Sequence, residues 1–178
     1  MSTFYTITKY LTFTGAFLRG FWEHFMCKLL KIPVEDQAYL RAGEMCGHVD
    51  HAFAKNGGSA YLVALVPGLV NFFCGMPLML TGILNLRVMG IRPADSIALF
   101  ITYIVMTYIG ISMLCNIFPD VETAMNLWDI VFVRKESGIL LRIISVIPSL
   151  LMYAGAYIEK FGVSLIAWII TTVLIFVL

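Results

Sequence analysis

A stretch of 27 residues without a single charge, 60–86, constrains this chain more than any other feature. As a helix it would reach about 40 Å at roughly 1.5 Å per residue, well past the roughly 30 Å hydrocarbon core of a bilayer. A helix of that length spans a membrane with tilt, or is kinked or interrupted. Pro67 and Pro77 each lack a backbone donor and are the expected places for a break. Asn71 lies between them, where a polar amide needs a partner on a neighbouring helix, and Asn116 of the next apolar run is the expected one.

Three more runs follow. Residues 96–118 are uncharged, 138–158 carry only Arg142 close to one end, and 161–178 are uncharged. The residues Glu159-Lys160-Phe161-Gly162 read as a tight turn that folds the last two runs into an antiparallel hairpin. Across its 178 residues the chain is 60% hydrophobic and 13% charged, against about half and about a quarter in soluble domains. Its net charge of +1 gives no reason to expect nucleic acid as a partner. These features predict an all-α polytopic membrane protein, one integral domain over 1–178 whose first partner is the lipid bilayer. Residues 1–31 hold an amphipathic or re-entrant helix near 5–30, and 32–58 form an interfacial polar segment. Four transmembrane helices near 59–86, 96–118, 138–158 and 161–178 complete it, with Gly57-Gly58 as a hinge before the first. No cleaved leader is read at the N-terminus.

Within the first helix Arg19, Glu23, Cys27 and Lys31 recur every four residues as a polar stripe, widened by His24 and Lys28. Phe17, Phe21, Phe25 and Leu29 form an apolar stripe at the same spacing. Such a helix lies at the interface with its polar side in water, or enters the bilayer with that side against other helices. Basic residues orient the whole. Lys28, Lys31, Arg41, Lys55, Arg134, Lys135 and Arg142 fall on one side, against Arg87, Arg92 and Lys160 on the other. Residues 28–58 and 119–137 of a multi-pass cell-membrane protein are therefore expected in the cytoplasm.

The polar chemistry gathers on that same side. Glu23 and His24 precede a segment containing Glu44, Cys46, His48, Asp50 and His51; Asp120, Glu122 and Thr123 follow the second span. Imidazole, carboxylate and thiol are all ligand types for a transition metal. Their spacing builds no site. Gly43 and Gly47 disfavour a helix that would align Glu44, His48 and His51, so a strand or hairpin is expected there. Histidines dispersed in this way read as hydrated loop residues rather than ligands, and four scattered cysteines without a CxxC pair give no disulfide framework. Asn71, Asn116 and Arg142 read as groups that hydrogen-bond between helices rather than as the lining of a permeation path. No HExxH, GxSxG or glycine-rich phosphate loop occurs.

The order of features resembles small prokaryotic membrane proteins of the site-2-protease-like zinc metalloprotease family. Cys27 follows the amphipathic helix; Tyr39, Arg41, Gly43, Gly47, Val49 and His51 match a Tyr-x-Arg-x-Gly then Gly-x-Val-x-His pattern. Pro67 with Asn71 matches Pro-x-x-x-Asn, and Phe118, Pro119 and Ala124 match part of a Phe-Pro-Ser-x-x-Asp-Ala element, so the likeness covers about residues 15–130. Counted back from Cys27, the family's HExxH positions fall on Arg19, Gly20, Phe21, Trp22 and Glu23, and its aspartate ligand falls on Thr123. The resemblance thus implies a shared scaffold without the zinc ligands, in which an Arg19–Glu23 pair one helical turn apart takes the place of the metal. The expectation is a catalytically inactive scaffold that binds a membrane-protein or peptide partner, with no catalytic residue, metal or cofactor assigned. Two alternatives stand beside it. One is a membrane hydrolase with a rearranged site drawn from Glu23, His24, His48, His51, Asp120 and Glu122; the other is a small transporter or channel subunit with Arg142 or Asn116 facing a lumen.

Overall fold

The computed structural model describes residues 3–39, 47–52, 54, 56–133 and 139–177. Two helices open the chain, α1 (Thr3–Leu11) and α2 (Phe13–Leu29), followed by an antiparallel pair of strands, β1 (Val34–Ala38) and β2 (His48–His51). Then come α3 (Gly57–Arg87), α4 (Ile97–Leu114) and the short α5 (Val121–Trp128), which runs into a π-helical turn at Asp129–Val133. The chain closes with α6 (Ile139–Lys160) and α7 (Val163–Val177).

Helix α3 is one uninterrupted element of 31 residues, about 46 Å long, and continues through both prolines. It starts earlier than expected because the Asn56 side chain caps it, accepting the Ser59 N–H at 2.8 Å. Gly57 and Gly58 are therefore its first turn and not a hinge. Helix α4 packs along α3 at backbone distance. A Cβ on Gly110 would run into the backbone of Met79 and Gly75, so this crossing needs hydrogen atoms on both sides.

Three helices are long and apolar enough to cross a membrane: α3, α4 and residues Arg142–Lys160 of α6. The expected fourth span is a shorter apolar helix. Glu159 and Lys160, expected in the turn, belong to α6, and the chain reverses at Phe161 and Gly162, the glycine at φ 68°. The 15 residues of α7 then reach only about 22 Å, short of a hydrocarbon core. None of them is buried.

The N-terminal segment differs from expectation in two ways. It is broken at Thr12, whose hydroxyl donates to the Thr8 carbonyl, and it is packed inside out. Arg19, Glu23 and Cys27 of the polar stripe are buried, whereas Phe17, Phe21, Phe25 and Leu29 are 37–64% exposed. From Arg19 to Cys27 the stripe faces the other helices, while Lys28 and Lys31 beyond it are exposed. The segment after the second span, where no element is expected, is helical as α5 and its π turn, because Thr123, Ala124, Leu127, Ile130 and Val131 bury one face. The apolar core lies where α2, α3, α5 and α6 meet, around Cys27, Val63, Leu127, Val131 and Met152. Glu44, Cys46, Arg41, Lys55, Arg134 and Lys135 lie outside the described residues.

Candidate functional site: a buried charged cluster

The inward stripe of α2 meets the segment that joins α4 to α5. Arg19 Nη2 lies 3.8 Å from Glu23 Oε2, one turn away, with both side chains 2% exposed. Arg19 Nη1 donates to the Ile117 carbonyl at 2.9 Å, and the Thr123 hydroxyl donates to Glu23 Oε1 at 3.0 Å. Residues 19–23 thus face 117–123. On the same carboxylate oxygen, His51 Nε2 approaches to 3.5 Å while its Nδ1 lies 3.0 Å from the Ala52 carbonyl.

A second group adjoins the first. Lys9 of α1 is 3% exposed; its ammonium donates to Asn116 Oδ1 at 2.8 Å and lies 3.4 Å from Asp120 and 3.6 Å from Glu159. Tyr5 donates its phenolic proton to Asp120 at 2.9 Å, and Glu159 accepts the Phe118 N–H at 2.9 Å. His48 sits between two acids, Nδ1 at 3.7 Å from Asp120 and Nε2 at 4.0 Å from Glu122. Asn116 donates to the Thr12 hydroxyl and the Ser112 carbonyl, and Asn71 donates to the carbonyls of Asn116 (2.9 Å) and Gly15 (3.1 Å). The amide at the middle of α3 has the neighbour expected for it.

Opposite charges stand beside one another throughout this cluster. Burial alone would raise the Asp120 carboxyl, but Lys9, His48 and Arg19 outweigh it and hold Asp120 well below the usual carboxylate range. For His48 the adjacent Asp120 carboxylate, opposed by burial and aided by the charges of Glu122 and Asp50, raises the imidazole above its ordinary value. Burial would lower His51, but the Glu23 carboxylate beside it and the bond to the Ala52 carbonyl raise it on balance. Buried ions of this kind stand because each has a partner; taking one away strands the other.

The remaining expected residues sit elsewhere. His24 pairs with the Tyr39 hydroxyl at 2.5 Å and stacks on its ring, away from His48 and His51. Glu122 is 63% exposed at the first turn of α5 and reaches the cluster only through His48. Arg142 stands at the start of α6, where its carbonyl accepts the Ser145 hydroxyl. Among the described residues, no three His, Cys, Asp or Glu side chains are arranged to hold a metal ion. Sequence reasoning missed Tyr5, Lys9 and Glu159. The signal was there: Lys9 is the one charge in the first 18 residues, and Glu159 is a lone acid at the end of an apolar run. Isolated charges in apolar segments need each other. No family model, curated protein or solved structure matches the chain.

Proposed function

We propose that this chain is a catalytically inactive relative of the site-2-protease-like membrane metalloproteases, which uses the former cleft to hold a membrane-protein or peptide partner. One observation carries the reading: a guanidinium, 2% exposed, occupies the helix face where the resemblance puts the first zinc histidine, and pairs with Glu23 where it puts the second. The residues present do not fit a zinc ion. Around Glu23 Oε1 stand a hydroxyl and one imidazole, and Arg19 is within ion-pair distance of the same carboxylate, where it repels a divalent cation. A rearranged hydrolase would need His24, His48 and His51 to converge, and each faces a different partner. The chain sits in the cell membrane with 28–58 and 119–137 on the cytoplasmic side, so the partner is met there.

The test combines metal analysis with trapping. Protein purified without chelator is expected to carry far less than one zinc per chain. A photoreactive residue at the exposed Glu122 position, in membranes of the source cell, should give a discrete adduct whose partner keeps its full length. One zinc per chain that disappears on His48→Ala or His51→Ala, or a shortened partner, overturns the reading.

A further inference from the structure

The strand β2 is held to the helical body by unusual means. At its N-terminal end Gly47, at φ 75°, lies directly against α2. A Cβ on Gly47 would strike the Ala16 carbonyl and one on Gly20 would strike Gly47, so the contact is backbone on backbone with no side chain to grip. Val49 is the buried apolar residue of the strand, at 4% exposure. On β1, Glu35, Asp36 and Gln37 are exposed. Val34 of β1 also packs on the apolar core and Tyr39 on Phe17 and His24 of α2, while the two histidines of β2 each face an acid of a different element.

We propose that β2 is an acid-held latch over the charged cluster: imidazolium–carboxylate pairs of His48 with Asp120 and Glu122, and of His51 with Glu23, keep it docked, and loss of their protons releases it. The geometry favours the cationic forms. His51 Nδ1 lies against a carbonyl oxygen, an acceptor only, so Nδ1 carries a proton, and Nε2 then meets Glu23 attractively only if it is protonated too. His48 has a carboxylate beside each nitrogen, so either neutral tautomer turns a lone pair toward an acid. The charged groups facing these rings are known for every described element packed there. Asp120 and Glu122 come from the entry to α5, Asp50 from β2 itself and Glu23 from α2. Behind them stand Arg19 on α2, Lys9 and Tyr5 on α1, and Glu159 on α6.

The direction follows from linkage. Both imidazoles are raised above 6.5 when docked, so their contribution is complete below about pH 6.5 and is lost as the pH climbs through the raised values. Asp120, held low, stays ionised throughout that window. Release uncovers Glu23 and Asp120, which would admit the partner at neutral to alkaline pH. That consequence rests on the proposed function; the latch does not.

The latch can be read without any partner. Spin labels at Gln37→Cys on β1 and Met125→Cys on α5, in a Cys46→Ala, Cys74→Ala background in lipid nanodiscs, report the distance from hairpin to body. One narrow distance is expected at about pH 5.5, and a second, longer population growing toward about pH 8.5. In the His48→Gln, His51→Gln variant the two populations should no longer change with pH. Glu122→Gln, an exposed change that leaves the cluster intact, should move the wild-type midpoint down by about half a pH unit, about threefold in population at fixed pH. A distribution that is the same at both pH values in the parent protein overturns the latch, as does a Glu122→Gln midpoint that does not move. Failure here leaves partner binding standing, and a missing photoadduct leaves the latch standing.

Discussion

Helices α2 and α7 make opposite use of their side chains. Every residue of α7 is uncharged, yet none is buried; α2 carries Arg19 and Glu23 and buries both, together with Gly15, Ala16, Gly20, Met26 and Cys27. In water the order would be reversed. In a bilayer the lipid tails are as apolar as leucine, so an apolar helix gains little by leaving them, while a charged or small-residue face gains partners and close packing. Beside its apolar core this molecule packs a polar and glycine-lined face of α2, while much of its apolar surface, α7 above all, stays outside.

The comparison is broken most sharply at Lys9. Lys9→Ala leaves Asp120 and Glu159 buried without their shared cation, and a loss of about 3–5 kcal/mol is expected, seen in detergent unfolding or as absence of folded protein. Survival of Lys9→Ala at parental stability would mean that water, not protein, surrounds those acids. Asn71→Leu strips two carbonyls of their donor and should cost about 1–3 kcal/mol, although it makes α3 more hydrophobic. Gly47→Ala should cost a similar amount, through its positive φ and the Ala16 carbonyl it would meet, and should show as faster exchange of the β2 amides. At the other end, Ile170→Ala or Leu174→Ala on α7 should change stability by no more than about 0.5 kcal/mol. A large effect there would place α7 against a partner rather than lipid.

Much of this contrast is legible in the residues. Absence of charge over 60–86 and 96–118 locates α3 and α4, since nothing else long and uncharged is stable away from lipid. The four-residue recurrence of Arg19, Glu23 and Cys27 identifies one face of α2, and the amide of Asn71 foretells a bond that Asn116 receives through its carbonyl. Periodicity cannot say whether a polar stripe meets water or protein, because both give the same spacing; burial of its ions depends on Ile117 and Thr123, nearly a hundred residues away. A still longer separation hides Lys9 and Glu159 from each other. The α5 segment was missed because its short amphipathic face is meaningful only once α2 and α6 are beside it. A hydropathy run also cannot tell a span from a shorter apolar helix when the turn between two helices shifts by two residues, as it does at Phe161-Gly162.

The double-mutant cycle on Arg19 and Glu23 tests most directly whether a buried ion pair fills the inward face of α2. Arg19→Ala alone should destabilise by about 3–5 kcal/mol, because the buried Glu23 keeps only the Thr123 hydroxyl and the His51 ring beside it, whereas changing both to small apolar residues should cost less than either single change. Strong favourable coupling, at the upper end of the roughly 0.5–3 kcal/mol seen for contacting residues, is the expected result. Additive losses, with the double variant as damaged as the sum of the two, would contradict it.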